Sequence, residues 1–479
     1  MPLSVNHGRE WCAGLKTVLQ GRAVCQREAL RRAGHRADRG NMQKQAGMDG
    51  RKGVCLLPAA GQETGKTVIQ ADLERSEGLM AGIRAEIRAG QRMQSRIRAK
   101  RKQEENFFDY SMLFIVLFLL GFGLVMIYST SSYSAVMQHE GDSAYFLKKQ
   151  AMATVIGLFA MIVVANIPYH FWERFATLAY LGSAALIPMV LVPGLKYSAN
   201  GATRWIKVGP LTIQPAEVAK LGMIIFLASL VCRMGRGIRT TKGFFTVLCV
   251  PLPICLMIWK ITNNLSSAII VFGIAALMLF VSSPEYKKFI IMGASGIVGV
   301  VLLVILIKNI SASEEMGFRF ARILAWMDPE AYASGKGFQT LQALYAIGSG
   351  GILGKGLGQS RQKLGFLPEA QNDMIFSIIC EELGLFGGIA VILMFLLLIW
   401  RFMVIANNAS DLFGALLVVG VMGHVAIQVI LNIAVVTNTI PNTGISLPFI
   451  SYGGSAVLFL LIEIGLVLSV ARGIRLKDM

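Results

Sequence analysis

From Phe107 to its end the chain repeats apolar segments of about 17–25 residues, and this feature restricts its fold more than any other. The segments lie near residues 110–131, 149–167, 174–193, 215–233, 243–260, 265–282, 288–307, 373–400, 412–435 and 449–471. Each is long enough to cross the hydrocarbon core of a bilayer. Lipid cannot hydrogen-bond exposed backbone, so such segments are helices that satisfy their own N–H and C=O groups. The fold class that follows is an all-α polytopic membrane protein of about ten transmembrane helices. Composition agrees: 54% of the 479 residues are hydrophobic and 15% are charged, against about a quarter charged in soluble domains.

Charge sets the orientation. A net charge of +18 would suggest nucleic acid in a soluble protein. In a membrane protein it reads as basic residues holding cytoplasmic ends, and no nucleic-acid partner is expected. "RAKRKQ" (98–103), "RMGRGIRTTK" (233–242) and "RGIRLK" (472–477) all fall on the cytoplasmic side if the N-terminus is inside. Ten crossings then return the C-terminus to the cytoplasm, and the long connection from about 308 to 372 is extracellular. Its aromatics, glycine turns and apolar pairs favour a folded functional loop. The seven cysteines are scattered without a CxxC or metal-ligand spacing, so no disulfides are expected.

Residues 1–106 differ from the rest. They are rich in Arg, Gln, Gly and Ala without a sustained apolar period, which predicts a disordered, basic cytoplasmic extension to the transmembrane domain at 107–479. An over-extended start is the other reading, since Met42, Met48 and Met80 are alternative initiators. "GQETGKT" (61–67) has the tail of a phosphate loop, but its first glycine is one residue too close to the second.

Three clusters carry polar chemistry. "GATRWIKVGPLTIQPAEVAK" (201–220) runs from an external loop into the fourth apolar segment, with Pro215 suited to a first helical turn. Glu217 and Lys220 share a helix face, which leaves open a structural ion pair or a substrate contact. Arg204, outside the span, suits an anion. "GFRFARILAWMDPEAYASGKGFQ" (317–339) places Arg319 and Arg322 on one helical face just before Asp328. Guanidinium forks match diphosphate oxygens, and a carboxylate beside an apolar wall can act as a general base. The glycine-dense stretch that follows carries Lys355, Arg361, Lys363, Glu369 and Asp373, then enters a helix at Glu381 and Glu382. Adjacent helical residues do not share a face, so one of these two glutamates is expected to point into a cavity and the other to meet polar partners. "PNTGISLPFISYGGSA" (441–456) is broken backbone at membrane depth, tolerated only where it is buried in protein or lines a cavity. His424, alone in an apolar helix, reads as structural.

Together, "GATRWI", "QPAEVAK", "GKGLGQSRQKLGFLPEAQNDMIF", "EELG" and "TGISLPFISYGGS" resemble the SEDS family (shape, elongation, division and sporulation), and its FtsW and SpoVE branch more than RodA. The likeness covers about 107 to 475 in the right order. It implies a peptidoglycan glycosyltransferase that polymerises lipid II, an undecaprenyl-diphosphate disaccharide pentapeptide. The setting it implies is the outer face of a bacterial plasma membrane, at the division septum or in sporulation. It also implies a cognate class B penicillin-binding protein, a transpeptidase, and other division proteins as partners. A lipid II flippase and a non-catalytic scaffold that activates the transpeptidase are the alternatives. A divalent cation, Mg or Mn, is the one cofactor left open; the metal ligands are unassigned.

The candidate substrate contacts are Arg204, Lys220, Arg319, Arg322, Lys355, Arg361, Glu369, Asp373, Glu381 and Ser451. Supporting roles are expected of Glu217, Gly335, Gly337, Pro448, Gly453 and Gly454. One departure stands out. The family often reads D-P-x-x-D-P-x-G-x-G-[YFW]-Q, with the second Asp as the essential carboxylate. Here the string is "DPEAYASGKGFQ", and Tyr332 occupies that position. Asp328 is therefore the first expected base and Glu330 the second, with Asp373, Glu369 and Glu381 next in line.

Overall fold

The computed structural model describes residues 109–474 apart from 200–201, 209–210, 284, 310–317 and 336. The extension at 1–106 and the phosphate-loop lookalike lie outside the described residues. The helices, in chain order, are α1 (Tyr110–Gln138), α2 (Tyr145–Asn166), α3 (His170–Arg174), α4 (Ala176–Leu186), α5 (Pro215–Met234), α6 (Thr241–Cys249), α7 (Leu252–Ile261), α8 (Leu265–Ser282) and α9 (Tyr286–Asn309). They continue with α10 (Phe318–Met327), α11 (Phe338–Gly350), α12 (Ile375–Asn408), α13 (Leu412–Val436) and α14 (Gly454–Ala471). Three short strands, β1 (Lys196–Ala199), β2 (Ala202–Val208) and β3 (Leu211–Ile213), form an antiparallel sheet between α4 and α5.

Every predicted apolar segment is helical, but they are not equal. Among the described residues, eight helical stretches are long and apolar enough to cross a membrane: α1, α2, α5 with its following 3-10 turn, α6 with α7, α8, α12, α13 and α14. The third predicted span is shorter, Ala176–Leu191, because α4 stops before Pro188 and continues only as a 3-10 turn. Proline has no N–H to give to the ladder and clashes with the preceding turn. The seventh is α9, 24 residues long and outside those eight. The predicted long loop holds two helices of its own, α10 and α11.

α13 lies at the centre, with 72% of its apolar window buried, and α5, α8, α12 and α14 pack around it. Outer helices expose Phe114, Phe159 and Ile291, as a surface in contact with lipid tails would. Connections gather on two faces. On one face Asp109 pairs with Arg401 at 2.6 Å, the Tyr169 hydroxyl meets Ser410 at 2.8 Å, and Arg472 donates to Asn166 at 2.6 Å. Both ends of the described chain lie there. The other face collects the sheet, α10, α11 and the segments at 262–264, 351–374 and 437–453; Arg204 donates to the Asn263 carbonyl at 3.3 Å and Ser266 to that of Thr443 at 2.6 Å.

Candidate active site

The second face carries a cavity of about 220 Å³ whose lining includes Arg322, Gly335, Phe338, Gln339, Pro368 and Asn442. Long-range hydrogen bonds hold it open. From α10, Trp326 Nε1 donates to the Asn438 carbonyl at 3.0 Å and Arg322 Nη1 to that of Asn442 at 3.2 Å. Asn442 Nδ2 donates to Gln339 Oε1 at 2.8 Å, and Gln339 Nε2 to the Pro368 carbonyl at 3.3 Å. The segment at 437–453 is thus a non-helical strap tied to both helices of the predicted loop.

Two guanidinium groups approach each other here. Burial, and then the Arg322 charge, push the Arg204 pKa down from its ordinary value. Burial likewise pushes Arg322 down, and the carboxylate of Asp373 opposes the shift. Among the described residues, Arg204 Nε is buried without a hydrogen-bond partner. Asp373 itself is 8% exposed, and among the described residues its Oδ1 has no hydrogen-bond partner. Burial, and then the nearby Glu369, push the Asp373 carboxyl up to about 7. Asn432 on α13 fixes the local backbone by donating to the carbonyls of Asp373 and Ile445 at 2.8 and 2.7 Å. Glu369 accepts a hydrogen bond from Asn372.

Glu381 and Glu382 are buried at 0% exposure, and both meet polar partners. Lys355 Nζ lies 2.7 Å from Glu381, which also accepts from the Ser360 hydroxyl and from the Arg361 amide at 3.2 Å. Lys363 Nζ lies 2.7 Å from Glu382, which accepts from Ser129 of α1 at 2.8 Å. The expectation that one of them points into the cavity is corrected: a single loop supplies partners on both sides of the helix. The loop backbone is spliced into α12 as well. Lys355 and Gly356 amides donate to the Glu381 and Glu382 carbonyls at 3.0 and 2.9 Å, and the Leu385 amide donates to Gly351 at 3.0 Å. The exchange is possible because Gly384 breaks the helix at φ 68°, ψ −166°, where a Cβ would lie 2.4 Å from the Gly354 nitrogen.

A second buried chain crosses three helices. Glu217 and Lys220 of α5 pair at 2.7 Å, Lys220 Nζ meets His424 Nε2 of α13 at 3.0 Å, and His424 Nδ1 meets Glu463 Oε2 of α14 at 2.7 Å. Of the two readings for Lys220, the structural one has its partners in place, and at 1% exposure the amine is not brought to the cavity.

The remaining candidates scatter. Asp328 and Glu330 stand on the exposed turn between α10 and α11, and Asp328 Oδ1 accepts from the Ala331 amide at 3.0 Å. Gly337 is buried in that turn, where a Cβ would sit 2.5 Å from the Pro329 carbonyl oxygen. The Ser451 hydroxyl is turned inward and accepts from the Leu447 amide at 2.8 Å, while the buried Pro448 carbonyl accepts from Ile450 at 2.8 Å. The Gly453 amide donates to Gln150 of α2 at 3.1 Å, and Gly454 opens α14. Arg361 is exposed, and the backbone of Arg319 lies in α10. Residues the sequence reading passed over include Ser129, Ser360, Asn432 and Asn442; of these only Ser129, in the hydroxyl run "YSTSSYS" of an apolar helix, carried a local signal. Among the described residues no group of three or more His, Cys, Asp or Glu side chains is arranged to hold a metal ion.

Comparison with known proteins places this geometry in context. Residues 110–475 match the model of a family described as cell cycle protein. Stage V sporulation protein E of Bacillus subtilis is 39% identical over 365 residues, which cover 76% of this chain and 97% of that one. The probable peptidoglycan glycosyltransferase FtsW of Trichlorobacter lovleyi is 36% identical over 372 residues, 78% of this chain and 95% of that one. Among solved structures, a chain from work on the coordination of polymerization and crosslinking by a peptidoglycan synthase complex superposes with a TM-score of 0.61 at 26% identity, covering 76% and 98% of the two chains. The rod shape determining protein RodA of Thermus thermophilus gives 0.55 at 25%, covering 76% and 97%.

Proposed function

The chain belongs to the FtsW/RodA/SpoVE family of cell cycle proteins, and from that premise we propose that it is a peptidoglycan glycosyltransferase polymerising lipid II. The observation that carries the reading is the juxtaposition of Arg204 and Arg322, two half-buried cations, beside the buried carboxylate of Asp373. A diphosphate leaving group is what such a pair of guanidiniums suits, since developing negative charge is best met by cations already in place. In the reaction a carboxylate takes the proton of an acceptor sugar hydroxyl. The hydroxyl oxygen attacks the anomeric carbon of the donor, the new glycosidic C–O bond forms, and the bond to the diphosphate breaks. The lipid diphosphate leaves with the electron pair.

The face bearing the cavity is outward, because the basic stretches at 98–103, 233–242 and 472–477 then lie in the cytoplasm with both termini. The setting is the bacterial plasma membrane at the division septum, with a cognate class B transpeptidase and other division proteins as partners. A cysteine placed at Ser334 should react with an impermeant thiol reagent in intact cells and one at Arg236 should not; the reverse pattern would refute the orientation. For activity, the full chain is reconstituted with labelled lipid II, with and without the transpeptidase. Polymer supports the transferase, and lipid scrambling without polymer supports a flippase. Tyr332 at the family's usual acid position favours a second reading, a scaffold that activates the transpeptidase, and neither product would support it.

A further inference from the structure

We propose that Asp373, rather than Asp328, is the general base of this glycosyl transfer. The assignment rests on the transferase reading above and narrows it to one carboxylate. The acids near the cavity divide by what already occupies them. Asp328 is exposed, and its Oδ1 is held in the turn by the Ala331 amide. Glu330 is exposed on the same turn and is not among the residues that line the cavity. Glu369 accepts from Asn372, and Glu381 is saturated by Lys355, Ser360 and the Arg361 amide.

Among these described acids Asp373 combines burial, an oxygen without a hydrogen-bond partner and a neighbouring cation. Its other oxygen lies under the exposed backbone of Gly444, where an added Cβ would come to 3.7 Å from Oδ2. Gly444 itself places no side chain between that oxygen and the exposed strap. Around it, among the described residues, the charged neighbours are Glu369 from its own loop and Arg322 from α10. α13 contributes the Asn432 amide and the strap contributes Gly444, neither of which titrates. Burial and Glu369 poise the carboxyl near neutrality, where a base can both be ionised and accept a proton usefully. The step balances simply: the hydroxyl proton passes to the Asp373 carboxylate as the oxygen attacks, and leaves to water once the diphosphate has gone.

The experiment uses the full chain with its transpeptidase, labelled lipid II, and the variants Asp373→Asn, Asp373→Glu and Asp328→Asn at matched protein levels. Asp373→Asn should slow polymerisation by about 10²–10⁴-fold while retaining lipid II binding and a folded melting profile. Asp328→Asn should stay within about two-fold, because Asn still accepts from the Ala331 amide. The parent rate should rise about ten-fold per pH unit from about pH 5 and level near 7, and Asp373→Glu should move that limb. If Asp373→Asn fails to fold, the parent limb and its displacement in Asp373→Glu decide, and a flat parent profile overturns the proposal. Polymer from Asp373→Asn at the parent rate overturns the base while leaving the transferase standing. No polymer from the parent overturns both.

Discussion

Asp373, just before α12, and Glu382, within its first turns, are buried alike at 8% and 0% exposure, and they are opposites in every other respect. Glu382 is met by Lys363, Ser129 and the Ser360 amide, whereas Asp373 keeps an oxygen with no hydrogen-bond partner among the described residues. Burying a carboxylate is costly unless it is paired and hydrogen-bonded. Glu382 offsets the cost with partners and so joins loop to helix. Asp373 carries it, as a group held ready for a proton must. Exposure alone cannot distinguish these roles; the inventory of partners can.

The largest effect should come from breaking the saturated side. Glu382→Ala leaves Lys363 buried without its counter-charge and should cost about 3–5 kcal/mol, read as a lowered melting temperature of the detergent-solubilised protein. A variant that melts with the parent would show that the pair does not anchor the loop. His424→Leu should follow at about 2–4 kcal/mol, since it strips Glu463 of its donor and Lys220 of one acceptor.

Asp373→Asn should have the opposite sign. The Asp373 carboxyl lies near 7 in the folded protein against an ordinary 3.8, so the folded state holds the proton more tightly. Its stabilising contribution is full below about pH 4, and falls as pH rises until it is gone above about 7. Above that pH the amide should therefore raise stability by about 1–3 kcal/mol and abolish this dependence, measurable by melting across pH. A loss of stability at pH 8 would place Asp373 with the structural acids. Asp328→Ala should cost about 1 kcal/mol for its turn hydrogen bond, and Glu330→Gln no more than about 0.5 kcal/mol in the same assay.

Much of the fold was legible because lipid enforces a length and an apolar composition that a string of residues displays directly. Pro215 opens α5 and the Glu217–Lys220 spacing forms its ion pair, both local consequences of helical geometry. The sheet was missed although "TRWIKV" alternates in the manner of a strand, and the long loop hid α10 and α11, each too short to span. The site was legible in its residue types but not in its grouping. Nothing along the chain tells that Arg204 faces Arg322, or that Lys355 and Lys363 are committed to the glutamates of a helix further on. Those neighbours are chosen by the crossing of elements far apart in sequence.

The splice between the 351–356 backbone and α12 at Gly384 has a kinetic consequence. By composition this is among the loosest stretches of the chain, yet its amides are bonded into a membrane helix and its lysine, Lys355, is tethered to the buried Glu381. To deuterated water or to a protease it should look like interior: slow exchange through Gly354 and Gly356, no early cleavage after Lys355, and opening only when α12 itself opens.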